Sequence, residues 1–140
     1  LTGDIAYTLN IIPNHARALL ALSRLELREG GKLPFHPNNN GGSAECYIMR
    51  AIEYQPKDGA VRMVYGMYLQ ARKRYPAAME EYKRAEELGS SSAQFHYNYG
   101  LLLFEMKQYD AAYERARKAY DGGFPLPGLK NMLESVGKWP

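Results

Sequence analysis

The segment Val61–Leu69, with the sequence VRMVYGMYL, is followed 34 residues later by Phe95–Leu103, with the sequence FHYNYGLLL. This alignment places Gly66 and Gly100 in the same column. It continues beyond both segments in pairs with the same separation, namely Tyr75 with Tyr109, Ala78 with Ala112 and Ala85 with Ala119. A fixed period of this length indicates a chain built from repeated structural units.

The period and its small residues resemble the tetratricopeptide repeat, a helix–turn–helix unit of about 34 residues. The resemblance implies an all-α fold, a right-handed solenoid of about three such repeats plus a C-terminal capping helix. Gly66 and Gly100 would let helix A of each repeat approach helix B, since a bulky side chain there would push the helices apart. The residues that mark the repeat are Ser23, Ala44, Ala51, Gly66, Ala78, Ala85, Gly100, Ala112 and Ala119.

An earlier copy of the repeat contains an insertion. Ala16–Glu29 has the apolar spacing of a helix A, and Ser43–Gln55 has that of the matching helix B. Between them lie nine residues more than the period allows, and the surplus falls in the turn-rich loop 31–42. Two roles stay open for this loop, a spacer or a contact epitope around Phe35 and His36.

We therefore predict a single domain over residues 1–140. The predicted units are helix B of a truncated preceding repeat at 1–13, a first repeat at 16–58, a second at 59–92, a third at 93–126 and a capping helix at 127–140. A terminal helix is expected because the last repeat would otherwise expose its apolar face to water. A start within a repeat predicts that the chain is a fragment of a larger protein.

Several residues depart from the family pattern. Arg62 and His96 occupy a column that usually holds a large apolar residue. Glu26 stands where an aromatic residue is expected, and Ala116 replaces the aromatic residue of helix B. These departures predict weaker repeats with an unchanged architecture.

The composition argues against several classes of partner. The chain has 140 residues, of which 46% are hydrophobic and 24% charged, as in a folded domain. No apolar stretch reaches the 18 or so residues of a membrane span. We therefore do not expect the chain to be embedded in a membrane. The net charge is +3 and there is no block of basic residues, so we do not expect a nucleic-acid partner either. The compartment stays open between cytoplasm and periplasm.

The sequence shows no catalytic or metal-binding pattern, so we expect no enzymatic activity, no cofactor and no metal. The three histidines lack ligand spacing, and the glycine pairs match no phosphate-binding motif. Cys46 has no nearby histidine of the kind that accompanies a catalytic cysteine. A single cysteine on a helix is usually a small buried apolar residue, and we predict this role for Cys46.

The resemblance also implies a binding surface, because helix A lines the concave face in this family. Transferred column by column, the groove residues are Arg17, Leu20, Arg24, Arg28, Met63, Met67, Gln70, Gln94, Tyr97, Asn98, Leu101 and Phe104. This groove is basic at one end and apolar toward the other, which suits an apolar or amphipathic peptide or helix of another protein. Of the family's carboxylate-clamp residues only Asn98 is present, so no such clamp is expected.

The resemblance thus implies a protein-interaction scaffold. Two alternatives stay open. The first is a regulatory or substrate-recruiting domain of a multidomain enzyme. The second is a structural module that forms homo-oligomers through its open N-terminal repeat edge at 1–12.

Overall fold

The computed structural model describes residues 1–34 and 42–140, and these form eight α-helices and no strand. In chain order the helices are α1 (Thr2–Ile11), α2 (Ala16–Arg28), α3 (Ala44–Tyr54), α4 (Gly59–Ala71), α5 (Tyr75–Glu87), α6 (Ala93–Glu105), α7 (Tyr109–Asp121) and α8 (Gly128–Ser135). The prediction of an all-α fold is confirmed. Most of the predicted insertion, residues 35–41 with Phe35 and His36, lies outside the described residues.

The helices pack in sequential pairs. The most extensive contacts join α4 to α5 and α6 to α7, and α1 packs on α2. Across the pairs, α2 contacts α4 and α4 contacts α6, so these three helices lie side by side. The arrangement places alternate helices on one surface of the molecule.

The turns that end α4 and α6 share one backbone geometry. Lys73 and Lys107, 34 residues apart, both adopt a left-handed conformation, with φ angles of 60° and 62°. In each turn the amide of the following residue donates a 2.9 Å hydrogen bond to the carbonyl five residues before it. These bonds satisfy carbonyls that have no partner within the helix. The sequence period therefore appears in the turns as well as in the helices.

The small residues of the repeat occupy the contacts between helices. A Cβ atom on Gly66 would lie 3.0 Å from Cε2 of Tyr82 on α5. On Gly100 it would lie 2.6 Å from Cδ2 of Leu129 on α8 and 3.4 Å from Cβ of Arg115 on α7. Fully buried alanines lie at the other columns, namely Ala44, Ala51, Ala78, Ala85, Ala112 and Ala119, while Ser23 is 5% exposed.

One hydrophobic core runs from α1 to α8, and Tyr82 is its largest fully buried side chain. The Tyr82 ring lies on α5 and packs against two rings of α6, with centroids 6.0 Å from Phe95 and 5.2 Å from Tyr99. Its hydroxyl donates a 3.2 Å hydrogen bond to Oε1 of Gln70 on α4. Tyr82 thus joins one helix pair to the next.

Arg62 and His96, which occupy a column that usually holds a large apolar residue, both contact helix B of their own repeat. Arg62 on α4 forms a 3.2 Å ion pair with Glu81 on α5. On α6, Nδ1 of His96 lies 3.2 Å from the guanidinium of Arg115, which itself pairs with Glu86. A departure in helix B, Ala116 on α7, is fully buried. In this column, polar contacts with helix B therefore replace apolar packing, an ion pair for Arg62 and a hydrogen-bond contact with Arg115 for His96.

Glu26 also departs from the pattern and is only 2% exposed. One carboxylate oxygen accepts a 2.7 Å hydrogen bond from the amide of Ala44, the first residue of α3. The other accepts from the hydroxyl of Tyr68 at 3.1 Å and from Arg72 at 2.5 Å. Burial and the nearby carboxylate raise the pKa of Tyr68 to about 12, so its hydroxyl donates at neutral pH. Glu26 therefore holds the start of α3 against α2 and α4.

The stability of the fold is expected to decrease as the pH falls below about 6.5, through His96. Burial and the positive charges of Arg115 and Lys118 lower the pKa of His96 from 6.5, against the opposing charge of Glu86. The unfolded chain therefore takes up this proton first, so protonation favours unfolding. Urea titrations at pH 7.5, 6.0 and 5.0 should show a smaller loss of stability for His96→Gln than for the native chain. Equal losses in both proteins would contradict this role for His96.

Candidate binding groove

The surface shared by α2, α4 and α6 contains two concavities. Nine of the twelve residues predicted to line a groove lie in them. Both concavities use α4, where Met63 faces one and Met67, one turn later, faces the other. The two together define the candidate groove.

The first, which we call the α2–α4 concavity, has a volume of about 450 Å³. Its lining residues are Ala16, Arg17, Leu20, Ala21, Arg24, Met63, Val64 and Gln94. Leu20, Met63 and the buried Val64 give it an apolar floor. Arg17 and Arg24 are exposed at its edge. It is the basic end of the groove.

The second, which we call the α4–α6 concavity, has a volume of about 300 Å³. Its lining residues are Met67, Gln70, Ala71, Lys73, Tyr75, Asn98, Leu101 and Glu105. Nδ2 of Asn98 lies 3.6 Å from the sulfur of Met67, which orients the thioether. Lys73 and Tyr75 come from the turn after α4 and the start of α5, so a pattern confined to helix A does not point to them.

Hydrogen bonds within the protein hold one wall of the α4–α6 concavity. Glu105 accepts from Nε2 of Gln70 and from the hydroxyl of Tyr75, both at 2.8 Å. The hydrogen bond to Glu105 is the main cause of the raised pKa of Tyr75. Because Gln70 also accepts from Tyr82, the wall is connected to the core.

The other three predicted residues lie outside both concavities. Tyr97 is buried, with its ring stacked on Phe124 at 4.2 Å, because the connection from α7 to α8 covers it. Phe104 packs on Tyr109 at 5.1 Å. Arg28 lies at the exposed end of α2, 3.9 Å from Glu29. The concave surface is therefore shorter than the helix A columns suggest.

A further concavity, of about 440 Å³, lies between α5 and α7. Residues of α6 form part of its lining, where the hydroxyl of Tyr99 donates to the sulfur of Met79 at 3.4 Å. The sequence pattern did not predict it, because its shape depends on the spacing between helices of two repeats.

The described residues contain no cluster of three His, Cys, Asp or Glu side chains that would hold a metal ion. None of the helices in this part of the chain has the length and apolar character needed to cross a membrane. The prediction that Cys46 is buried is wrong. Cys46 does not belong to the buried face of α3, which is formed by residues that include Ala44, Ile48 and Ala51.

Comparisons with known proteins agree with this architecture. Residues 69–107 match the family model of the TPR, or tetratricopeptide, repeat. The chain is 23% identical to the solved structure of PilF from Pseudomonas aeruginosa, with a TM-score of 0.65 over 88% of this chain and 54% of that one. It is 20% identical to MamA, with a TM-score of 0.62 over 96% of this chain and 75% of MamA.

The chain thus spans about half the length of the PilF structure. At these identities the likeness is one of fold, and the predicted tetratricopeptide-type solenoid is confirmed. No curated protein matches the sequence.

Proposed function

We propose that this tetratricopeptide-repeat protein is a scaffold whose groove on α2, α4 and α6 binds a peptide or helix of another protein. Repeats of this type generally mediate contacts between proteins. The observation that supports the proposal most directly is the convergence of nine predicted residues on two adjoining concavities. Their positions in sequence are spread over three helices, so only the fold brings them together.

The chemistry of the groove suits an apolar contact. Met63, Met67 and Leu101 are half-buried and line the concavities rather than the centre of the core. A thioether adapts its shape to different partners because it has several accessible rotamers and a polarisable sulfur. Amphipathic helices of partner proteins commonly bind with their apolar face in an apolar groove.

Substitution of the groove provides the test. Met67→Glu combined with Leu101→Glu would place two carboxylates in the α4–α6 concavity, where an apolar partner segment would desolvate them. We expect recovery of the partner from affinity purification, measured by quantitative mass spectrometry, to fall at least about tenfold, which corresponds to about 1.4 kcal/mol.

The matched control is Met49→Glu combined with Leu126→Glu, since both side chains are exposed and neither lines the groove. Circular dichroism must show that both double variants remain folded. Unchanged recovery of the partner with the groove variant would exclude binding through these two residues.

A second candidate function is self-association through α1. Tyr7 and Ile11 lie one turn apart on this helix and are 61% and 60% exposed, so two large apolar side chains share one exposed face. Multi-angle light scattering over a concentration series tests this candidate. A strictly monomeric chain at high concentration would exclude it.

A further inference from the structure

Two arginines on α2 differ from the other arginines of the chain. Neither Arg17 nor Arg24 makes a hydrogen bond, ion pair or ring contact with any described residue, and both are exposed. All the other arginines have such a partner, namely Arg28, Arg50, Arg62, Arg72, Arg74, Arg84, Arg115 and Arg117. The other guanidinium groups therefore have partners within the described chain, whereas those of Arg17 and Arg24 remain free to contact a ligand.

The two arginines also share one face of α2. They are seven residues apart, which is about two helical turns and about 10.5 Å along the helix axis. Both line the α2–α4 concavity, and no carboxylate lines it. Between them Leu20 of α2 and Met63 of α4 form an apolar strip. A ligand matched to this surface has two negative charges separated by apolar groups.

The spacing of the charges distinguishes a helix from an extended segment. Side chains seven residues apart on a helix point in nearly the same direction and are about 10.5 Å apart. An extended segment covers that distance in about three residues, but side chains an odd number of residues apart point to opposite faces. A helix therefore brings one carboxylate to each arginine, with apolar side chains between the two carboxylates. An extended segment does not meet both conditions, because its side chains at this separation point to opposite faces.

We propose that the α2–α4 concavity binds an acidic amphipathic helix of a partner protein, aligned with α2. Two carboxylates, seven residues apart, pair with Arg17 and Arg24, and the apolar face between them packs on Leu20 and Met63. This inference rests on the proposed function of the groove and adds the charge, conformation and axis of the bound segment. A small anion or a nucleic acid would leave the apolar strip exposed to water.

Four synthetic helical peptides of 18 residues with a common leucine face test the proposal by fluorescence anisotropy. The first has two glutamates seven residues apart, the second has them five apart and hence on different faces, and the third has glutamine at both positions. The fourth is the first with a central proline that breaks the helix. We expect the first to bind about tenfold more tightly than the other three, and to weaken as salt rises from 50 to 300 mM.

Reversal of the charges tests the pairing itself. Arg17→Glu combined with Arg24→Glu should lose the preference for the first peptide and instead prefer a version with two lysines seven residues apart. The matched control reverses two exposed lysines outside the concavity, Lys57→Glu and Lys83→Glu, and should keep the native preference. Both variants change the net charge equally, so a difference between them reports position.

Several results would overturn the inference. Equal affinity for the glutamate and glutamine peptides would show that charge is not recognised, and equal affinity for the proline peptide would favour an extended segment. A dimer of the chain that is disrupted by the reversal of Arg17 and Arg24 would identify a second copy as the occupant. Absence of binding by all four peptides would exclude the acidic helix. The proposed function is judged separately, by the Met67 and Leu101 variant and the recovered partner.

Discussion

Replacement of Tyr82 by alanine is expected to lower the free energy of unfolding by about 3–5 kcal/mol, the usual cost of removing a buried aromatic ring. The ring is fully buried and lies between two rings of α6 while it belongs to α5. Its loss leaves a cavity between two helix pairs, which cannot close without moving Gly66 and α4. Urea denaturation followed by circular dichroism measures the change.

The matched control is Tyr82→Phe, which keeps the ring and removes only the hydrogen bond to Gln70. We expect a loss of about 1 kcal/mol for this variant. Burial raises the pKa of the Tyr82 hydroxyl, so the group is protonated in the folded chain throughout the neutral range. A loss in Tyr82→Ala no larger than that in Tyr82→Phe would contradict the importance of the ring for the contact between pairs.

Glu26→Tyr is expected to destabilise the protein by about 3 kcal/mol, although it brings the sequence closer to the family pattern. The substitution removes the acceptor for the Ala44 amide and the Tyr68 hydroxyl, and it leaves the half-buried Arg72 without its carboxylate. Removal of one partner from a buried ion pair costs several kcal/mol, and partial exposure of Arg72 reduces that cost. Chemical denaturation again provides the measurement.

Glu26→Gln is the matched variant for this prediction. It keeps the shape of the side chain and one acceptor oxygen, so we expect a smaller loss than with tyrosine. If Glu26→Tyr proved as stable as the native chain, the aromatic residue of the pattern would be sufficient, and the hydrogen bonds of Glu26 would be dispensable. A double-mutant cycle with Arg72→Met separates the ion pair from the two other hydrogen bonds.

Glu26 also shows a property that the repeat pattern does not predict. From the sequence, Glu26 is a residue of the wrong type for its column, and a weaker repeat is the natural expectation. Its three hydrogen-bond donors come from α3, from α4 and from the residue that follows α4, at separations of 18 to 46 residues. No local pattern connects such positions, because the contacts form only when the helices have packed.

The groove likewise combines features that the sequence pattern predicts with features that depend on the packing of the helices. Nine of the twelve residues taken from the columns of helix A line the two concavities, because side chains at fixed helical spacing share a face. Tyr97 belongs to the same columns, yet the α7–α8 connection covers it with Phe124. Whether a residue on a given face is exposed depends on the elements that pack there. For Tyr97 that element is the connection after α7, at the end of the third repeat.

The period, the positions of the helices and the residues that need to be small can be predicted from the amino-acid sequence, because these depend on helical spacing and on close contact between neighbouring helices. The partners of the polar residues, the extent of the groove and the charges that remain unpaired become visible only in the packed fold. Those properties depend on distances between helices that are far apart in sequence. Arg17 and Arg24 illustrate the difference, since only the packed fold shows that no carboxylate of the described chain reaches them.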